Sequence, residues 1–204
     1  MKKWLTGSYL GILLILLYAP IFIVIVFSFT EAKVLGNWTG FSLKLYQSLF
    51  TGGIHHTLSS ALWNTFLIGI IAATFSTILG TMAAIGIYNM KPGSRKTLQM
   101  LNTIPILNPD IITAISLFLL FVSLGVSQGY SSVILAHITF CTPYVVLSIL
   151  PFLRQMNDNL YEAALDLGAT PFYALRKILL PQLRPGMLSG FILAFTLSID
   201  DFVV

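Results

Sequence analysis

Long apolar stretches set the strongest constraint on how this chain folds. The sequence contains five almost entirely apolar runs, at about residues 9–29, 61–88, 98–124, 131–150 and 187–204. About 20 consecutive apolar residues let an α-helix cross the hydrocarbon core of a bilayer. Only 9% of the residues are charged, against roughly 25% in soluble domains. The sequence therefore predicts an all-α polytopic membrane protein with one transmembrane domain over residues 1–204.

The distribution of basic residues predicts the orientation of these spans. If the amino terminus lies in the cytoplasm and the spans alternate, Lys33 and Lys44 are the only two of the 11 basic residues that fall outside. Such a bias is typical of the positive-inside rule. It accounts for the net charge of +4 without nucleic-acid binding. The cytoplasmic loops would hold Lys2, Lys3, Lys91, Arg95, Lys96, Arg154, Arg176, Lys177 and Arg184.

Residues 157–186 form a long polar interval between two apolar runs. Asn157 or Asp158 is a suitable cap for a short helix, and Gly168 supplies the left-handed residue that ends it. The apolar face of this helix would contain Leu160, Ala163, Ala164 and Leu167. Spacing alone fits equally well an amphipathic connector that lies on the membrane surface.

A second helix is predicted within the same interval. Thr170 followed by Pro171 is typical of a helix start, and we expect Pro181 and Pro185 to end the helix because proline lacks the backbone N–H. Its buried side would contain Phe172, Leu175, Ile178 and Leu179. Residues 157–186 are therefore predicted to form a structured helix–turn–helix segment, the name we use for them below.

The order of residues in the helix–turn–helix segment resembles the EAA loop of permease subunits from ATP-binding-cassette importers. The matching positions are Glu162-Ala163-Ala164, Gly168 and Ile178-Leu179-Leu180-Pro181. In that family the first helix docks into a groove of an ATPase subunit, and the glutamate helps to anchor it. The resemblance implies the type I importer permease fold with a cytoplasmic coupling loop. It assigns ATPase coupling to Glu162, Ala163, Ala164, Gly168 and Pro181.

The chain itself is expected to be a transport subunit and not an enzyme. It contains no match to the phosphate-binding pattern G-x-x-x-x-G-K-[ST], so we expect no catalytic residue and no cofactor, with ATP bound by a partner chain. Members of the family continue through a sixth span. Five spans are present here and the fifth is cut short, so we expect a fragment or a truncated product.

Ionisable residues inside the apolar runs are candidates for the transport pathway. They are Asp110, His137, Asp200 and Asp201, and a charged residue at the bilayer centre costs about 2.5–3.5 kcal/mol. Helical rise places Asp110 and Asp200 up to roughly 20 Å from the cytoplasmic side. The carboxylates are therefore predicted to line one level of a cavity that takes a cation.

Each of these residues also has a structural interpretation. Asp110 follows Pro109 and is a suitable helix cap, and only one of the adjacent Asp200 and Asp201 is expected to face a cavity. His137 is predicted to be a hydrogen-bonded core residue, and Cys141 a small buried side chain. No metal site is expected, because His55 and His56 have no Cys, His or carboxylate cluster nearby.

Two further features predict how the spans pack. Small residues recur every fourth position on the second span, where they let another helix approach closely. The third span is interrupted at residues 104–110, and irregular backbone at membrane depth is tolerated only where it is buried or lines a cavity. The small residues are Ala72, Ser76, Gly80 and Ala84.

Longer segments resemble the permease C subunit of spermidine/putrescine importers. They lie at residues 109–111, 137–141, 162–169 and 195–201. The resemblance implies a polyamine pathway through Asp110, Asp200 and Asp201 in a bacterial inner membrane. It also implies a heterodimer with a second permease subunit, an ATPase dimer and a periplasmic or lipid-anchored polyamine-binding protein.

Other functions remain open from the sequence. The same importer architecture could carry ferric iron, sulfate or a cationic amino acid, although acidic residues argue against an anion. An ion-coupled secondary transporter could use Asp110 and His137 as a proton relay, but the chain shows no internal inverted repeat of the kind that such transporters contain. A purely structural membrane subunit would leave the buried aspartates unexplained.

Overall fold

The computed structural model describes residues 2–31, 36–51, 54–157 and 159–201, without the side chains of residues 2–6, 8, 50, 51 and 54–57. The described part is helical and contains no strand. Four of its helices are long and apolar enough to cross a membrane, or five if one bent pair counts as a span. These features confirm the predicted all-α polytopic membrane fold.

The helices follow one another with short connections. Their bounds are α1 Lys2–Phe27, α2 Lys44–Thr51, α3 Ile54–Tyr88, α4 Pro92–Leu107, α5 Asp110–Ser123, α6 Tyr130–Gln155, α7 Asn159–Asp166, α8 Pro171–Ala174 and α9 Leu180–Asp200, with a π-helical turn at Leu175–Leu179 between α8 and α9. The backbones of His55 and His56 lie in α3, but their side chains are outside the described part.

Residues 1–62 form one compact unit, in which the chain folds back after α1. The ring of Phe29 stacks on Phe41 at 5.6 Å and contacts Tyr46 at 5.4 Å between centroids. Glu31 and Lys44 form an exposed ion pair of 2.8 Å. The hydrogen bond from Lys44 holds the pKa of Glu31 below its ordinary value, and the same bond raises the pKa of Lys44.

Residues 63–204 form a second compact unit, whose core lies between α6 and α9. Glycines on α9 allow this close packing, because a Cβ atom at Gly190 would lie 3.0 Å from the Val145 side chain and one at Gly186 would lie 2.7 Å from the Phe152 ring. Without a hydrophobic force between helices in lipid, such close backbone approach is a main source of association. The most deeply buried side chains include Val145, Val146, Ile149, Leu153 and Leu183.

The small-residue stripe of α3 packs against α6, as predicted. A Cβ atom at Gly80 would lie 2.6 Å from Val145, which leaves no room for a larger residue. The hydroxyl of Ser76 donates a hydrogen bond of 3.2 Å to the carbonyl of Ile138. All four stripe residues are buried: Ala72, Ser76, Gly80 and Ala84.

The predicted interruption of the third span is confirmed. Helices α4 and α5 are bent by 102° relative to each other at a short break. The break contains Asn108 and Pro109, both with extended backbone, and a residue before proline is disfavoured in the helical region. The Asn102 side chain ties α4 to α6 through a hydrogen bond of 3.1 Å to the Pro143 carbonyl.

The prediction that Pro181 and Pro185 end the second helix of the helix–turn–helix segment was wrong. The backbone stays helical from Pro171 to Asp200. The π-helical turn lies directly before Pro181, and the Leu180 N–H bonds to the carbonyl of Leu175, five residues back. A π turn inserts one extra residue into the helix, so the backbone can pass Pro181 without the hydrogen bond that proline cannot make.

Candidate functional site

The first helix of the helix–turn–helix segment, α7, has local hydrogen bonds at both ends. The Asn157 side chain accepts a hydrogen bond of 3.1 Å from the Asn159 N–H, as expected for a cap. Gly168 has φ +87°, the left-handed conformation that glycine adopts without steric cost. The N–H of Ala169 then bonds at 3.0 Å to the carbonyl of Ala164. Asp158, the other predicted cap, lies outside the described residues.

The second helix begins as the sequence predicts, but one of its predicted buried residues does not lie inside. The Thr170 side chain accepts a hydrogen bond of 3.3 Å from the Tyr173 N–H, and Pro171 is the first helical residue. Leu179 is buried, whereas Phe172 is 71% exposed. Phe172 lies before the π turn, on a face of the helix that the described chain leaves uncovered.

The helix–turn–helix segment presents apolar side chains to its surroundings. Leu167 is 89% exposed, and Leu160 and Phe172 are also exposed. The two alanines of the Glu-Ala-Ala motif face different ways, because Ala164 is buried in the chain and Ala163 is exposed. An exposed apolar surface of this kind marks a site of interaction with another protein or with a membrane.

Glu162 lies at a cavity between this segment and the ends of neighbouring helices. The cavity measures about 450 Å³ and is lined by residues that include Arg95, Tyr161, Glu162 and Leu179. The guanidinium of Arg95 lies 4.6 Å from the centre of the Tyr88 ring, as in a cation–π contact. The glutamate itself is exposed, so its carboxylate is accessible to a partner.

Asp110 is the first residue of α5, directly after the break in the third span. Pro109 occupies the cap position, and no side chain caps the helix there. The helix-cap interpretation of Asp110 is therefore wrong, since Pro109 takes that position. Its carboxylate is exposed, and it stands at a helix start, where the backbone dipole favours negative charge.

Asp200 and Asp201 lie at the carboxyl-terminal end of α9 as far as the structure describes the chain. Asp200 is the last helical residue, and Asp201 leaves the helix with φ −68° and ψ 120°. The N–H of Asp201 still bonds at 3.0 Å to the carbonyl of Leu197. Asp200 is exposed and Asp201 is half-buried, so the two adjacent carboxylates have different surroundings; which of them faces a cavity stays a prediction.

A buried polar contact joins α6 to α9 one turn before Asp201. His137 Nδ1 and Ser198 Oγ are 2.8 Å apart, and the two residues are each 4% exposed. One turn further along, the Cys141 thiol points at the carbonyl of Ala194 at 3.5 Å. The predictions of a hydrogen-bonded core histidine and a buried cysteine are therefore confirmed.

Asp110 and Asp201 lie near side chains at different points along α6. Asp201 lies close enough to interact electrostatically with His137 and Cys141, and Asp110 does so with Tyr144. His137 and Tyr144 are seven residues apart, about 10 Å along a helix. The residues that line the two described cavities do not include these carboxylates. Asp110 and Asp201 therefore lie near residues at different points of α6, and the prediction that they line one cavity stays a prediction.

Sequence reasoning missed three of these features. Ser198 gave no signal beyond being a small polar residue in an apolar run, and only the packing of α6 on α9 reveals it as the partner of His137. The contact of Arg95 with Tyr88 was also missed. The two residues are seven positions apart and lie on either side of the turn between α3 and α4. The π turn has no sequence signal that distinguishes it from a helix end at Pro181.

Taken together, the helices, the broken span and the helix–turn–helix segment define a multi-pass membrane permease. Residues 76–204 match the family described as binding-protein-dependent transport system inner membrane component. The chain belongs to this family.

Three relatives show how far the similarity extends. The chain is 37% identical over 202 residues to the spermidine/putrescine transport system permease protein PotC of Escherichia coli, covering 99% of this chain and 75% of that protein. It is 38% identical over 203 residues to PotC of Haemophilus influenzae, covering 100% and 78%. It is 39% identical over 196 residues to the putrescine transport system permease protein PotI of Escherichia coli, covering 92% and 68%.

Proposed function

We propose that this chain is a permease subunit of an ATP-driven importer of polyamines, located in a bacterial inner membrane. The observation that carries the proposal is the agreement of two features: the capped Glu162 helix, and acidic residues at the break and end of membrane-spanning helices. The names of the relatives support the same cargo class. The chain would act as a single transmembrane domain, with its amino terminus and the helix–turn–helix segment in the cytoplasm.

Coupling to ATP would pass through the helix–turn–helix segment. Its exposed apolar residues and the accessible Glu162 suit a surface that docks on another protein. An ATPase dimer would bind there, with Glu162 and Ala163 at the contact. Ala164, which is buried, would hold α7 on the rest of the chain, and Gly168 and Pro181 would shape the segment. A helix that continues from Pro171 to Asp200 gives a direct connection from this surface to the transport path.

The substrate would be recognised by separated carboxylates. Asp201 lies close enough to His137 of α6 for an electrostatic interaction, and Asp110 lies close enough to Tyr144. Asp200 is exposed next to Asp201. A linear polyamine carries several ammonium groups along an apolar chain, so carboxylates spaced along a path suit it better than a single cluster. In a low-dielectric environment each close charge pair is stronger than in water.

The remaining partners are those that the resemblance to the family implies. A second permease subunit would cover the exposed apolar faces of the spans and complete the path. A periplasmic or lipid-anchored binding protein would deliver the polyamine. ATP binding would close the ATPase dimer and open the path outward, and hydrolysis would reset it.

Replacing Glu162 with lysine tests the coupling half of this proposal. We expect Glu162→Lys to lower ATP-driven uptake by the assembled complex at least about tenfold, which corresponds to about 1.4 kcal/mol. The physical reason is that a repulsive charge would replace the anchoring one. Uptake and ATP hydrolysis are measured together in vesicles that contain the whole complex.

Asp166→Lys is the matched control, because it makes the same charge change on the same helix, away from the residues that line the Glu162 cavity. We expect it to retain most of the uptake. Wild-type uptake by the Glu162→Lys complex, or an equal loss in both variants, would contradict the role proposed for Glu162.

A further inference from the structure

His137 is a buried titratable residue that the proposed pathway does not use. It lies on α6 and is 4% exposed, and its Nδ1 atom is 2.8 Å from the Ser198 hydroxyl of α9. A buried polar group in a membrane-spanning pair is costly unless it has a partner. The hydrogen bond therefore satisfies both buried side chains.

The contact lies at the point where α9 ends. Ser198 precedes Asp201 by three residues, and the helix stops after Asp200. Earlier along α9, the helix pair is held by close packing at Gly190 and by the weak Cys141 contact with Ala194. The hydrogen bond between His137 and Ser198 thus links α6 to α9 one turn before Asp201.

We propose that His137 is a positioning residue, which holds the end of α9 through Ser198 and thereby sets the place of the Asp201 carboxylate beside α6. This inference rests on the pathway role proposed above for Asp201. The imidazole is a rigid ring, so the hydrogen bond between Nδ1 and the Ser198 hydroxyl restrains the last turn of α9 against α6. Asp201 lies close enough to the same ring to interact with it electrostatically.

Loss of a residue that only fills space in the core would have a different effect on uptake from loss of a positioning residue. Loss of the space-filling residue would lower the stability or the assembly of the complex, and the effect would add to that of any change at Asp201. A positioning residue acts through Asp201, so its loss should change the affinity for the transported cation and should lose its effect once the carboxylate is absent. Coupled residues show this non-additivity in double-mutant cycles.

The test measures the KM and the maximal rate of uptake for whichever cation the wild-type complex transports. We expect His137→Leu to raise KM at least about fivefold with the maximal rate little changed, within the range seen for coupled pairs. His137→Asn should restore most of the affinity, because its side-chain amide places a polar atom near the position of Nδ1. Cys141→Ala is the packing control, on the same helix pair and one turn away.

The double variant gives the decisive comparison. In an Asp201→Asn background, His137→Leu should add little to the rise in KM. Additive effects, an unchanged KM in His137→Leu, or equal losses in His137→Leu and Cys141→Ala would overturn the inference. A wild-type complex that transports a cation other than a polyamine would refute the substrate proposal, while the comparison of His137 variants would still decide this one.

Discussion

At the scale of single residues, close packing and buried polar contacts decide which positions tolerate change. Gly80 on α3 faces Val145 of α6, and Gly190 of α9 faces the same valine. Val145 is fully buried. One α6 side chain is therefore in contact with two glycines from two other helices, and the packing of all three spans meets at this point.

Gly80→Ala should destabilise the protein. The added Cβ atom would lie 2.6 Å from Val145, and overpacking of this kind costs about 1–3 kcal/mol. We expect the thermal unfolding midpoint of the purified complex to fall by about 2–4 °C for each kcal/mol. Scanning calorimetry or the loss of folded complex on heating measures this change.

Gly86→Ala is the matched control for this substitution. It lies on the same helix and its new Cβ would meet no atom within 4 Å, so alanine should be neutral or stabilise the helix by up to about 1 kcal/mol. Val145→Ala should relieve part of the strain in Gly80→Ala. A Gly80→Ala complex as stable as the wild type would show that these helices are not packed as described.

At the scale of elements, the helix–turn–helix segment depends on one residue with an unusual backbone. Gly168 has φ +87° and open space around it, so a substitution there changes backbone strain without a side-chain clash. The two amide hydrogen bonds that follow α7, from Gly168 and Ala169, form only in this conformation.

Gly168→Ala should loosen the turn between α7 and α8. A left-handed conformation costs an alanine roughly 1–2 kcal/mol, whereas asparagine tolerates it better. We expect faster hydrogen exchange at the amides of residues 168 and 169 in Gly168→Ala, with Gly168→Asn close to the wild type. If the alanine variant exchanges at the wild-type rate, the left-handed turn does not hold this segment.

Local patterns predicted most of the elements, and the failures share a physical cause. Apolar length predicted the spans, and cap and glycine signals predicted the ends of α7 and the start of α8, because these depend on neighbouring residues alone. The continuous helix past Pro181 and the exposure of Phe172 could not be predicted. Both depend on tertiary packing: Leu179 of the π turn packs in the core, and Phe172 lies on a face that the described chain leaves exposed.

At the scale of the whole molecule, one long helix connects the helix–turn–helix segment to Asp200, and the proposed function assigns ATPase docking to the first and the transport path to the second. The helix–turn–helix segment begins this helix, and Asp200 ends it. The sequence predicted that the acidic residues line one level of a cavity, and this stays a prediction. The bend of 102° between α4 and α5, which brings Asp110 to a helix start, is a tertiary feature that local sequence does not give.

In the proposed function, this subunit conducts polyamines past Asp110 with energy from a separate ATPase. The most direct test is uptake of radiolabelled putrescine and spermidine by vesicles that contain the whole complex, with and without ATP, for the wild type and Asp110→Asn. Asp110 makes no capping hydrogen bond, so the substitution removes a charge and leaves the local backbone contacts in place.

We predict saturable, ATP-dependent uptake by the wild type that survives a protonophore, and a rise in KM of at least about tenfold in Asp110→Asn, as expected when a charge partner is lost. Asp166→Asn, outside the spans, should leave the KM unchanged, and all complexes should assemble equally. An assembled wild-type complex that takes up neither polyamine, or an Asp110→Asn complex with wild-type KM, would contradict the proposed polyamine pathway past Asp110.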